Sequence, residues 1–348
     1  ILYRNNLKQE RTLSMRKLTY LALLNILIII TTLCSCNKPI QDISFSVYYW
    51  KNNAYLTQKQ KEILNTSSIK CIYLKICDFK WSESTKKIET PSISNIIESN
   101  KHIIPVFFIE NKVFKMKNGK EFYEFFQQKI KDFEYLKDVK NIQIDCDWTI
   151  ETQNNYFSFL KYLKQNGYLT EVTLRLHQIK HSKITGIPDV ETGVLMIYNL
   201  TSPAIFNQKN SIYNYNLAHS YLNGHINKYP LKIKVALPAF SWGVHFQYEK
   251  IQRLISNTTL EDYNTEELQE IKPNLFKSNK PFYFKNIPIN KRDIIRYEEP
   301  KIEKISNMID YLTKNIKQDS LEIIFFSLDS KFFNKKHDQY EKIISNYN

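Results

Sequence analysis

The chain has 348 residues, 49 Lys+Arg against 35 Asp+Glu for a formal charge of +14, and only six Gly. Six in 348 is far below the usual share of about 7%, and neither GxGxxG nor GxxxxGK(S/T) occurs, so the Gly-rich turns that cradle nucleotide phosphates are excluded. A hydrophobic share of 43% and an aromatic share of 14% exclude wholesale disorder.

In chain order, residues 1–35 read as a lipoprotein signal peptide with its true start at Met15. Arg16 and Lys17 precede an apolar run, Leu18 to Leu33, that is short for a membrane span. The run ends in Leu33-Cys34-Ser35-Cys36, which resembles a bacterial lipobox with Cys36 as the lipidated residue. The expectation is an exported, monomeric protein, held on the bacterial cell envelope by a lipid anchor, with residues 36–43 as its tether. Five basic residues against Glu10 place +4 of the charge in the signal and leave +10 on the rest. That excess is scattered, without the basic block of a nucleic-acid arm, and it favours anionic lipid or glycan surfaces.

Eight β-branched and aromatic runs follow: Ser44–Trp50, Cys71–Cys77, Ile103–Ile109, Ile142–Trp148, Glu171–His177, Val194–Leu200, Lys232–Leu237 and Leu321–Leu328. Helical-period stretches lie between them at Thr57–Asn65, Glu121–Phe133, Asn154–Gln165, Asn216–Asn227 and Lys301–Ile316, with Asn166-Gly167 as a helix stop. This alternation predicts an α/β chain, a (β/α)8 TIM barrel over 44–348. The stretch 247–300 between strand 7 and its helix is too long for a loop; its Phe282–Asn286 and Asp293–Tyr297 segments read as a β-rich insertion. Cys71 and Cys77, six residues apart in one strand and so roughly 20 Å apart, cannot pair. They read with Cys146 as buried thiols, and no metal or cofactor motif is present.

Barrel chemistry sits at the C-terminal strand ends. In strand 4, alternation turns Gln143, Asp145, Asp147 and Thr149 inward and Ile142, Ile144, Cys146 and Trp148 toward the helices. Two stacked carboxylates need partners or shifted pKa values. Strand 5 adds Arg175 and His177 in the same register, Arg175 being a natural partner for the two Asp. Strand 6 ends in Tyr198-Asn199, strand 7 leads to Phe240 and Trp242, and strand 1 closes with Tyr48, Tyr49 and Trp50. Aromatic faces around a mouth suit sugar rings.

Four of these segments resemble glycoside hydrolase family 18, the chitinase and endo-N-acetylglucosaminidase group. Its strand-4 DGxDxDWE is echoed by Asp145-Cys146-Asp147-Trp148-Thr149 and its MxYD by Met196-Ile197-Tyr198-Asn199. Its strand-7 Pro-x-Tyr-Gly is echoed by Pro238-Ala239-Phe240-Ser241-Trp242-Gly243, and its WSxD by Phe326-Ser327-Leu328-Asp329. The resemblance implies that Asp145, Asp147 and Tyr198 form the reaction centre, Asp147 and Tyr198 touching the substrate's acetamido group. Gln143, Arg175, His177, Asn199, Trp242, Tyr49 and Trp50 are the expected substrate-binding residues. The family's general-acid Glu is Thr149 here, its first Asp Ile142, its MxYD Asp Asn199 and its strand-8 Trp Phe326. Loss of the acid alone removes roughly 10² to 10⁴ of rate.

Three readings follow. One is a divergent hydrolase of N-acetylhexosamine-containing glycans, its acid supplied by Asp147, Glu151 or Glu110. Another is a non-catalytic glycan-binding lipoprotein. The third is an unrelated barrel enzyme using Arg175 and His177 on an anionic substrate.

Overall fold

A computed structural model describes residues 40, 42–52, 55–91, 97, 99–116 and 119–347. The signal, Cys36 and the tether as far as residue 39 lie outside the described residues.

Eight parallel strands close on themselves: β1 (Asp42–Tyr49), β2 (Ile69–Ser82), β3 (His102–Ile109), β4 (Asn141–Asp145), β5 (Leu169–Arg175), β6 (Thr192–Met196), β7 (Lys232–Pro238) and β8 (Ser320–Phe326). Each pairs with its neighbours in sequence, and β1 pairs with both β2 and β8, which removes every edge of the barrel. Helices α1 (Gln58–Thr66), α2 (Lys120–Lys131), α3 (Gln153–Gln165), α4 (Tyr215–Leu222), α5 (Ile302–Asn315) and α6 (His337–Ser345) surround it. The expected (β/α)8 barrel is the one formed.

Local chemistry sets the boundaries. Thr57 and Gln60 cap α1 reciprocally, each side chain accepting from the other's backbone N–H. Tyr156, Phe159, Leu160 and Leu163 form the buried stripe of α3. That helix stops at Asn166-Gly167, where Gly167 takes φ +80° and Tyr168 N–H reaches back to the Leu163 carbonyl.

Two apolar layers follow from strand alternation. Ile142, Ile144, Cys146 and Trp148 pack under the helices in the large outer core, whereas Tyr48, Tyr73, Val106, Met196, Tyr198 and Ile324 fill the barrel. At its N-terminal end the interior carries an ion cluster. Lys234 Nζ lies 2.6 Å from Glu171 and 2.9 Å from Glu322 and donates to Tyr73 Oη at 2.8 Å.

Between β7 and α5 the chain builds a five-stranded antiparallel sheet in the order Lys250–Ser256, Trp242–Gln247, Ile294–Glu298, Leu275–Ser278, Leu268–Lys272, with a small hairpin of Phe282–Phe284 and Ile287–Ile289. Tyr263, Phe276, Ile295 and Tyr297 belong to its own small core. The excursion begins at Trp242, five residues before the position read from sequence. A buried ion pair ties it to the loop after β6. Arg296 Nε donates to Glu298 at 2.6 Å, and its guanidinium also reaches the carbonyls of Pro203, Ile205 and Phe206. Glu298 accepts in turn from Ser211 and from Trp242 Nε1.

Strands 4, 5 and 6 end two to four residues sooner than their hydrophobic runs suggested. After β5 the reason is visible. Gln178 accepts from Arg175 N–H at 2.7 Å and starts the short helix Leu176–Lys180 at once.

Candidate functional site

A cleft of about 460 Å³ opens at the C-terminal end of the barrel, between Trp50, Asn52, Phe326, Asp145, Arg175 and the tip of β2. Its floor is aromatic. Phe326 stacks on Tyr198 with ring centroids 4.9 Å apart and lies 5.4 Å from Trp50. Tyr48 closes the floor against Trp50 and Phe326, and the backbone N–H of Trp50 donates to Asp329, which fixes where the platform stands.

Asp145 ends β4 facing inward and accepts from Thr173 Oγ1 at 2.7 Å. Burial first, then the charge of Asp147, pushes its carboxyl from 3.8 up to about 6. Asp147 lies past the strand end and is exposed, with both oxygens taken. Arg175 Nε and Nη2 donate to them at 2.6 and 2.7 Å, a bidentate pair. Burial and the nearby Asp145 carboxylate raise the Tyr198 phenol well above its usual range, so it is a neutral hydroxyl. Asn199 lies on the rim in a left-handed conformation, φ +53°.

The inward register of Asp145, Asp147 and Arg175 is thus as the alternation predicts, but four of the predicted binding residues stand elsewhere. Tyr49 faces the helices, because its neighbour Tyr48 takes the inward position; its hydroxyl donates to the Tyr55 carbonyl. His177 leaves the strand register because β5 has already turned into a helix. It stays exposed near Arg175 and Asp147, its imidazole lowered by partial burial and then by the Arg175 charge. Gln143 is buried one layer below the cleft, accepting from Tyr48 Oη at 2.8 Å. Trp242 packs on Phe240 while its N–H is held by Glu298.

The substitute acids fare as follows. Thr149 points its hydroxyl into a Thr149–Thr152–Asn111 hydrogen-bond set. Glu151 pairs with Lys115, which lowers its carboxyl and keeps it ionised. Glu110 accepts from the Trp81 backbone N–H at 3.0 Å. Thr149 has no carboxyl, and the Glu151 and Glu110 carboxylates are each committed to a neighbour.

Sequence reasoning missed Lys75, Asp78 and Lys80. A bulge in β2 between Lys75 and Cys77 sends both Ile76 and Cys77 to the helix side and returns Asp78 and Lys80 to the mouth, above Tyr73 and Lys75. The signal was Lys75, Asp78 and Lys80 clustered in the C-terminal half of a mostly apolar barrel strand. Charges are costly on the helix-facing side, but strict alternation would put Lys75 and Asp78 on opposite faces, and only the bulge brings both inward. The same bulge separates Cys71, inside the barrel, from Cys77, outside it; both are free thiols, as is Cys146. Among the described residues, no group of three or more His, Cys, Asp or Glu could hold a metal ion.

Solved structures carry this architecture. The spore cortex-lytic enzyme SleL of Bacillus megaterium superposes over 88% of this chain and 74% of its own, at TM-score 0.54 and 14% identity. SleL of Bacillus cereus covers the same shares at TM-score 0.54 and 12% identity, and the Flavobacterium johnsoniae chitinase ChiB, of glycoside hydrolase family 18, superposes over 88% and 94% at 0.50 and 10%. The barrel resembles that of the family-18 glycoside hydrolases. At such identities it is the fold that is shared. No family model and no curated protein sequence matches the chain.

On that fold the family-like residues divide. Asp145, Asp147, Tyr198 and the aromatic floor are present and brought together. Thr149 stands where the resembled motif carries its Glu, and Arg175 engages both oxygens of Asp147.

Proposed function

We propose that this protein binds carbohydrate in the mouth of its barrel and does not cleave it by the family-18 route. One observation carries the reading: both oxygens of Asp147 are engaged by Arg175 while Thr149 holds the acid position. A carboxylate with both oxygens engaged by one guanidinium is not free to reach a leaving group. The platform of Trp50, Phe326 and Tyr198 offers flat apolar faces, and Asp145 with the Tyr198 hydroxyl offers polar partners for a ring's substituents. The resemblance points to N-acetylhexosamine-containing glycans.

The test is a glycan-array screen of the full chain, followed by calorimetry and hydrolysis assays on each hit. Binding without turnover, weakened about tenfold in Trp50→Ala, is expected. Absence of binding to any glycan overturns the reading. The divergent-hydrolase reading has one observation in its favour, the Asp145 carboxyl raised to about 6. Turnover that disappears in Asp145→Asn would establish it.

The Leu33–Cys36 segment supports export and a lipid anchor at Cys36, hence display on a bacterial envelope. Metabolic labelling with a fatty acid, lost in Cys36→Ala, is the expected result; labelling that survives the change refutes it.

A further inference from the structure

Resting on that carbohydrate-binding reading, we infer that the preferred ligand is an anionic glycan, whose carboxylate or sulfate faces the Lys75–Lys80 wall while its ring lies on Trp50. The argument begins with the β2 bulge, which places Lys75, Asp78 and Lys80 together on one side of the cleft. Lys75 Nζ lies 3.2 Å from one Asp78 oxygen and Lys80 Nζ lies 3.3 Å from the other. Two ammonium groups therefore share the Asp78 carboxylate, and among the described residues Lys80 has no other ion pair within 4 Å, although Glu89 stands across the strand pair from it. Lys75 is nearly buried, with side-chain exposure of 7%, and donates to Asn52 at 2.8 Å. Lys80 keeps 46% of its side chain in solvent, within the cleft lining.

Burying an ammonium is costly unless it is matched, and Lys75 has its match in Asp78 and Asn52. Lys80, half in solvent and only sharing Asp78, is the ammonium an anionic substituent would engage. Position makes the match specific. Lys75 Nζ is 5.7 Å from the Trp50 ring centroid, so a sugar resting on that platform brings its exocyclic group to the lysines. The opposite wall repels an anion, because Arg175 is already matched by Asp147 and Asp145 adds a carboxylate. The charged substituent is thereby directed to the β2 side, which fixes the orientation of the ring. The +10 on residues 36–348 adds long-range attraction but no such orientation.

The experiment compares two probes of equal length by calorimetry on the full chain: a neutral N-acetylglucosamine hexamer, and a hexamer in which alternate rings carry a carboxylate. A sulfated and desulfated pair repeats the comparison. The acidic probes should bind at least about tenfold more tightly at low salt, with the gap narrowing as salt rises. Lys80→Gln should weaken the acidic probe about five- to tenfold, leave the neutral one unchanged and leave the melting temperature intact. Lys80→Arg should retain the preference. Lys314→Gln, in the last turn of α5 at the other end of the barrel, should change neither. Equal or tighter binding of the neutral probe, or a loss of the same size for both probes in Lys80→Gln, overturns the inference and leaves carbohydrate binding standing. Failure of every probe and of the wider array overturns both.

Discussion

Asp145→Asn should make the protein more stable at neutral pH, although it alters a residue at the centre of the cleft. The carboxyl is pushed from 3.8 to about 6, by burial first and by Asp147 second. The native state therefore holds a proton that the unfolded chain releases near pH 4. Between about pH 4 and 6 the native state binds more protons, so stability falls as pH rises through this window and stays low above it. At 1.36 kcal/mol for each pH unit, the full effect is ~3 kcal/mol. Asparagine keeps an oxygen to accept from Thr173 Oγ1 and removes the charge. Urea unfolding of both proteins at pH 4, 5, 6 and 7 measures the difference directly, and other titrating groups cancel in the comparison. The two should be nearly equal at pH 4, with the variant ahead by up to ~3 kcal/mol at pH 7. Parallel curves across that range, or a variant less stable at pH 7 than at pH 4 relative to the parent, would refute the burial argument.

Other consequences follow from the same geometry. Arg175→Gln removes the cation that offsets Asp145 and Asp147, so the Asp145 carboxyl should titrate above about 6; NMR titration of its side-chain carbon checks this, and an unchanged midpoint refutes it. Glu298→Ala leaves Arg296 charged and buried and frees Trp242 and Ser211. The expected loss is ~3–5 kcal/mol in chemical denaturation, against about 1 kcal/mol if the pair is merely incidental. Gly243→Ala drives a methyl into the Tyr263 hydroxyl and toward Ile295 beneath the inserted sheet, and should cost ~1–3 kcal/mol; a neutral melting temperature would show that Tyr263 swings aside.

The sequence by itself determined the barrel and the identity of the strand-4 pair. Period-2 apolar runs separated by helical stretches admit few topologies, and alternation within Ile142–Trp148 is enough to turn Asp145 and Asp147 inward. It also marked Tyr198 and Trp50 through their places at strand ends. Tertiary structure decided what those residues can do. That Asp147 is tied at both oxygens depends on the height of Arg175 on the next strand, which no spacing within either strand reveals. That Asp145 is the raised carboxyl depends on burial contributed by several strands at once. Tyr49 and His177 were misplaced for a local reason, since one of two adjacent tyrosines must face outward and a helix capped by Gln178 ends β5 early. The basic wall of Lys75 and Lys80 rests on a one-residue bulge, and a bulge is fixed by the register of paired strands. Composition carries no trace of it.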